Sequence, residues 1–462
     1  MSDLNMIDDL VARAKRAQSA YEARGDQAYF DKAAKAVAWA LMEPSRNRDL
    51  ATKAVAQTEL GNVADKIQKN HRKTLGLLHD LKHVKSFGHI SDDAEKGLSI
   101  YYRPKGVVAA IVPSTNPLAT PVNNAINAMK TGNAIILAPS PKGANILAEL
   151  LSYIHAEFDK CGIDRDLVQM IPNPPSKDKT NRLMALADVL VVTGSQNNVR
   201  SAYASGTPAI GVGMGNVVTI IDETADYKDA ADKICRSKTF DNATSCSSEN
   251  AVIALKDNYQ DVQDALQQAG GYLLSEAEVA HLEAVYFGDG KMHRGMIAQD
   301  FAKMIDVLGF SHIPKDKEFL IAPTDKRGKP HKISGEKMAL FLAIYQAADF
   351  DEAAEMARQI QDGQGAGHSI GLHSKRDDRA HHLALKLPTC RVIVNQAHCF
   401  ANGGSFDNGL PFSLSMGCGS WGGNSIDENF NWRHLVNQTV ISRPIPAIDP
   451  DVDDLFADYD RS

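Results

Sequence analysis

The chain has 462 residues, with 50 Lys plus Arg against 57 Asp plus Glu, for a formal net charge of −7. Apolar residues make up 44% and charged residues 23%, an ordinary globular balance that argues against nucleic acid or a membrane surface as partner, since both attract clustered cations. Six cysteines without a Cys-x-x-Cys pair supply neither a disulfide scaffold nor the usual zinc spacing, so no metal site is expected. The acidic start, MSDLNMIDDL, lacks the cationic and apolar regions of a leader. The longest apolar run, Val107 to Val112, is far short of the roughly 20 residues that span a bilayer. A cytoplasmic protein with reduced thiols is expected.

Residues 3–95 read as helix after helix. Leu10, Val11, Ala14, Ala17 and Tyr21 recur at spacings of three and four, and Glu43-Pro44 and Gly61-Asn62 break the pattern. From Gly97 the texture changes to short β-branched runs between amphipathic stretches. Strands are expected at 107–112, 134–137, 167–171, 189–192 and 217–221, with helices at 121–130, 142–161, 178–186 and 197–205. Near-continuous apolar strands alternating with helices predict an α/β fold with a parallel sheet covered on both faces. A second α/β unit is expected from about Lys238 to Gly417, with strands at 250–255, 339–345, 369–373 and 391–395. Its helices are expected at 260–269, 351–360 and 376–387. A glycine-rich loop, MGCGSWGGN, covers Met416–Asn424, and a last strand is expected at 438–442.

Three features carry chemistry. The strand at 189–192 runs into Thr193-Gly194-Ser195 and then a helix, which is the arrangement of a phosphate cradle and equally of an ordinary N-cap. Ala138-Pro139-Ser140 makes a second strand end with a free hydroxyl. Gly211, Gly213 and Gly215 do not form the dinucleotide fingerprint, because a strand and not a helix follows. The segment Phe240–Ser248 holds Cys246 among small and polar residues, unlike a packed core, between the two α/β units. That is where a thiolate nucleophile belongs. Cys399 and Cys418, in polar or glycine-rich loops, compete with it. Cys161, Cys235 and Cys390 read as inert. Gly367-His368-Ser369-Ile370-Gly371 matches the serine-hydrolase elbow literally, but no apolar strand precedes it.

Pro113–Pro117, Ala204–Asn216, Phe240–Ser248 and Met416–Asn424, in that order along 105–442, resemble the aldehyde dehydrogenase superfamily. They are most similar to its CoA-acylating branch, and the Ala-Thr-Ser-Cys-Ser-Ser stretch is similar to sulfoacetaldehyde dehydrogenases. The resemblance implies a Rossmann-type cofactor domain, an α/β catalytic domain and a β-flap for oligomerisation. The corresponding units are 1–237 (with 97–106 joining the flap), 238–428, and 429–462. It makes Cys246 the nucleophile and Asn116 the oxyanion-hole amide. It places the cofactor against Ser114, Thr115, Ala138, Pro139, Ser140, Lys142, Thr193, Gly194, Ser195, Gly213 and Glu336. It puts His398 and Asn395 near the substrate, with Arg391 a further donor. Hydrolytic members carry a glutamate where this chain has Ile210-Gly211-Val212-Gly213. Without that base the acyl thioester passes to a thiol, which in the acylating branch is coenzyme A. The acidic residue that bonds the adenine ribose is also absent after Ser140, and Lys142 follows, which suits NADP as well as NAD. The expected reaction converts a short aldehyde, foremost sulfoacetaldehyde, to its acyl-CoA in a homodimer or homotetramer. Acetaldehyde or another short aldehyde, a hydrolytic dehydrogenase and an inactive binding protein are the alternatives.

Overall fold

The computed structural model describes residues 3–288 and 290–459. Residues 1, 2, 289 and 460–462, which belong to the expected units, lie outside the described residues. Four helices open the chain: α1 (Asp3–Arg24), α2 (Gln27–Met42), α3 (Pro44–Thr58) and α4 (Val63–Leu81). Glu43 caps α3 through the Ser45 and Arg46 amides and Asn62 caps α4 through the Asp65 amide, so the breaks read from sequence are real helix starts; Asp26 caps α2. The helical reading fails beyond residue 82. There β1 (Gly88–Asp93) pairs antiparallel with β2 (Leu98–Pro104) across a turn in which Gly97 takes φ +65°. Local polarity hid this strand; its partner makes it.

The first parallel sheet matches expectation closely. Its strands are β3 (Val107–Val112), β4 (Ala134–Pro139), β5 (Val168–Met170), β6 (Val189–Val192) and β7 (Ala209–Gly211), in the order β5-β4-β3-β6-β7. Helices α5 (Ala119–Lys130), α6 (Ala144–Cys161), α7 (Lys177–Leu186) and α8 (Gln196–Ala204) connect them. The chain builds outward from β3 on one side, then returns to add β6 on the other. The crevice at the carboxyl ends of β3 and β6 is therefore the topological switch point, where ligands of such sheets bind.

The strand at 217–221 changes allegiance. As β8 (Val217–Ile221) it belongs to the second sheet, not the first. An extended stretch around Gly213 and Gly215 carries the chain from one sheet to the other, and periodicity within the strand cannot report which neighbour it will choose. After α9 (Tyr227–Thr239) come β9 (Glu249–Leu255), α10 (Tyr259–Gln268), β10 (Gly271–Leu273), α11 (Glu276–Phe287), α12 (Phe301–Leu308), β11 (Phe319–Pro323) and β12 (Phe341–Ala347). The segment from β10 to β11 was not foreseen. Then α13 (Phe350–Gly363), β13 (Ile370–His373), α14 (Asp377–Lys386), β14 (Val392–Val394) and the short α15 (His398–Ala401) follow. This sheet is all parallel, ordered β10-β11-β12-β9-β8-β13-β14. Finally β15 (Val436–Ser442) returns to the free edge of β2, so β2, within the segment 97–106 expected to join the flap, has two partners. Separate apolar cores lie under the two parallel sheets.

Candidate active site

Cys246 lies in the loop between α9 and β9, at the amino edge of the second sheet. The expectation that its surroundings are unlike a core is corrected. Asn242, Ala243, Thr244, Ser247 and Ser248 are all buried, and Cys246 itself keeps partial exposure. Three consecutive non-glycine residues before it are left-handed: Asp241 (φ 50°), Asn242 (φ 53°) and Ala243 (φ 60°). Such residues cost about 1–3 kcal/mol each and persist only where their surroundings hold them. Here α4 does the holding. The Asp241 carboxylate accepts from Lys66 at 3.1 Å, from Lys69, from the Asn62 amide at 3.0 Å and from Thr244 at 2.7 Å. Its own amide donates to Asp65 at 2.7 Å. Burial pushes Asp241 up, but Lys69 and Lys66 overcome it and hold the carboxyl low.

The glycine run packs on the thiol. A Cβ on Gly215 would stand 2.0 Å from the Cys246 carbonyl oxygen, and one on Gly213 2.7 Å from the Cys418 sulfur. No side chain fits at either position. Burial, then the charge of Glu336, pushes the Cys246 thiol up to about 12. Glu336 is pushed up to about 7 by burial, against the pull of Lys238 and Lys337. It is therefore a half-buried carboxyl whose charge reaches the thiol, able to hold its proton near neutrality. Sequence reading missed the groups around it. Lys238 is fully buried with no partner on its ammonium, pushed down to about 7 by burial. Glu249, raised to about 7 by burial, accepts from the His398 amide at 3.2 Å. Lys66, Lys69 and Lys73 recur at i, i+3 and i+7 on α4, a spacing that in sequence reads as a solvated face, yet all three are buried.

The expected oxyanion and cofactor residues gather at the carboxyl edge of the first sheet. Ser114, Thr115 and Asn116 follow β3, and Lys66 reaches the Thr115 carbonyl at 3.5 Å. The Asn116 side-chain oxygen has no partner. Ala138 and Pro139 close β4, and the Ser140 hydroxyl after them is enclosed and unpartnered. Thr193 ends β6 and its hydroxyl bonds that of Ser415, which joins the two edges. Ser195 caps α8 by accepting from the Asn198 amide at 3.3 Å. An orphaned hydroxyl beside a helix start at the switch point fits a dinucleotide. Lys142 is not a free cation: its ammonium sits 3.0 Å from the Glu59 carboxylate, so the acidic group missing after Ser140 is restored from α3's end.

The three expected substrate donors are taken up within the catalytic unit. His398 Nε2 bonds the Ser369 hydroxyl at 2.8 Å, which also bonds His368. Asn395 both accepts from and donates to the Ser374 backbone, at 3.0 and 2.7 Å. Arg391 donates to the carbonyls of His368 and Gly417. Cys399 and Cys418 are both buried, and burial raises both thiols. The described residues hold no cluster of His, Cys, Asp or Glu able to bind a metal.

The family model of the aldehyde dehydrogenase family matches residues 3–409. The chain belongs to that family. It is 52% identical over 451 residues to a sulfoacetaldehyde dehydrogenase (acylating) of Cupriavidus necator, covering 97% of this chain and 91% of the relative. It is 34% identical to the bifunctional aldehyde-alcohol dehydrogenase of Escherichia coli, with 95% of this chain and 49% of that one covered. Among solved structures, an acetylating aldehyde dehydrogenase from Geobacillus thermoglucosidasius superposes with a TM-score of 0.92 at 32% identity, covering 97% and 98% of the two chains. This aldehyde dehydrogenase therefore has a Rossmann-type sheet and a thiol-bearing sheet meeting at Cys246.

Proposed function

We propose that the chain is a CoA-acylating, NAD(P)-dependent dehydrogenase of sulfoacetaldehyde. The 52% identity to an enzyme named for that reaction supports the substrate. The observation that carries the acylating chemistry is the glycine run: Gly213 and Gly215 press against Cys418 and Cys246 with no room for a side chain, so no general base can stand there. Cys246 attacks the aldehyde carbon, and its proton passes to Glu336. Asn116 and the Cys246 amide hold the developing oxyanion; such a donor is worth about 10²–10³ in rate. Ser114, Thr115, Ala138–Ser140, Lys142, Thr193–Ser195 and Gly213 hold the dinucleotide, and Glu336 its nicotinamide ribose. When bound, the nicotinamide supplies a hydride acceptor. Cys246 then carries an acyl thioester until the thiol of CoA displaces it, with the acyl bond energy retained.

One observation favours a second reading. The charge of Glu336 reaches the thiol and its carboxyl is pushed up to about 7, so it could activate water and give the free acid. Formation of NAD(P)H from sulfoacetaldehyde with and without CoA separates the two. Sustained turnover only with CoA is expected, and Cys246→Ser should abolish it; full turnover without CoA would sink the acylating reading. We also place the assembly contact at β2 and β15, whose strand exposes Val440 and Ile441, in a cytoplasmic dimer or tetramer. No helix among the described residues is long and apolar enough to cross a membrane.

A further inference from the structure

Helix α5 carries polar groups that nothing among the described residues satisfies. Thr120, Asn123, Asn124 and Asn127 are at most 2% exposed and recur at i, i+3, i+4 and i+7, which is one face of the helix. Val122, Ala125, Ile126 and Met129 occupy the opposite side. The Thr120 hydroxyl and the Nδ2 groups of Asn123 and Asn124 have no hydrogen-bond partner. An orphaned buried donor is costly, and three on one face of one helix are not a packing accident. They are the mark of a surface built for a ligand.

Two features fix where that surface lies. The helix begins three residues after Asn116, the oxyanion amide, and it packs against α4. Helix α4 in turn presents Lys73. That ammonium is buried, has no carboxylate partner, and donates only to the carbonyls of Gly403 and Gly404. Gly403 adjoins Asn402, whose amide donates to the Ser247 hydroxyl at 2.9 Å, and Ser247 is the neighbour of Cys246. Cys246 and Cys399 are the sulfurs whose charge reaches Lys73. A buried cation without a carboxylate partner is thus linked through Gly403 and Asn402 to the neighbour of Cys246, and the row of unused amide donors lies on the helix packed against the one that carries it.

We infer that Lys73, Asn123 and Asn124 form the subsite for the sulfonate headgroup of the aldehyde. The inference rests on the proposed substrate and adds how it is chosen. A sulfonate offers three acceptor oxygens, which the ammonium and two amides match in number. A neutral aldehyde of the same length leaves those donors unpaired, and sites built on hydrogen bonds reject such analogues strongly.

The test compares kcat/KM for sulfoacetaldehyde and for propanal, with CoA and NAD(P)+ present, in the native enzyme and in Lys73→Gln and Asn124→Leu. The ratio of the two constants should fall about 10–100-fold in each variant, the loss of one hydrogen bond to a charged group. An unchanged ratio overturns the subsite. Ethanesulfonate on the native enzyme keeps the question open to refutation if a variant does not fold. It should compete with the aldehyde and slow alkylation of Cys246 by iodoacetamide; if it does neither, the subsite is wrong. The two readings fail separately. CoA-dependent oxidation of propanal with indifference to sulfoacetaldehyde and ethanesulfonate removes the subsite and leaves the acylating chemistry. CoA-independent turnover removes the acylating chemistry, and the ethanesulfonate result still judges the subsite.

Discussion

The two parallel sheets meet the proposed reaction centre with opposite ends. The five-stranded sheet contributes its carboxyl edge: the residues after β3, β4 and β6, with ordinary caps, a backbone cradle and partly exposed hydroxyls. The seven-stranded sheet contributes its amino edge, the residues before β8, β9, β12, β13 and β14. Gly215, Cys246, Glu336, His368 and Arg391 all precede strands. The first edge is built cheaply, as suits its proposed role of holding a dinucleotide that comes and goes. The second buries Lys238 and Glu249, half-buries Glu336, and strains three residues in a row beside the thiol. Binding needs donors in the right place, whereas positioning a nucleophile needs a loop that cannot relax.

That contrast is broken most severely at Asp241. In Asp241→Asn the left-handed turn loses its anchor, and Lys66 and Lys69 are left buried without a counter-charge. Removing one partner of such a group costs about 3–5 kcal/mol, read as a fall in Tm and in denaturant midpoint. The pH dependence is the signature. Burial, helped by Lys69, already pushes Lys66 down to about 8 against the pull of Asp241. Without Asp241 the folded Lys66 binds fewer protons than it does in the unfolded chain, so the variant's stability should rise as pH increases from about 7 to 9. A pH-independent loss across that window would show that the carboxylate is not the counter-charge.

Gly215→Ala attacks the same loop from the other side. The added methyl would meet the Cys246 carbonyl at 2.0 Å, so the proposed nucleophile's backbone must move. Overpacking costs about 1–3 kcal/mol, and a displacement near 1 Å at a reacting group costs about 10² in rate. Single-turnover rates should fall by that factor while NAD(P)+ affinity, set at the other sheet, changes little. Alanine at Gly162, which has open space around it, serves as the control for placement, although its φ of +65° adds strain.

The same asymmetry explains what could be read without coordinates. Strands β3, β6 and β8 were legible to the residue because buried parallel strands are continuous apolar runs. Their sheet membership was not, and β8 was placed with the wrong neighbours, because pairing is decided far along the chain. Cys246 stood out through its small polar company. Its supports did not: Lys66, Lys69 and Lys73 follow the spacing of a solvent face, and only the packing of α4 on residues 240–243 turns that face inward. Asn123 and Asn124 likewise look like surface residues on a helix that the fold buries on every side. Strand β1 and the stretch from β10 to β11 carried no periodic signal strong enough to compete with their polar composition.

The smallest expected effect lies at the cofactor edge, and it tests whether that edge is as adjustable as its construction implies. Lys142 alone would favour a 2′-phosphate, but the Glu59 carboxylate 3.0 Å away offsets its charge and can accept from a 2′-hydroxyl. Both side chains are largely exposed, so water screens the pair. Glu59→Gln should therefore shift the ratio of kcat/KM for NADP+ over NAD+ upward by only about two- to five-fold. Stability should stay within error of the native protein, because no buried group loses a partner. A shift of a hundredfold would mean that Glu59 contacts the ribose in a desolvated site, and that the carboxyl edge is built more like the thiol edge than its exposure implies.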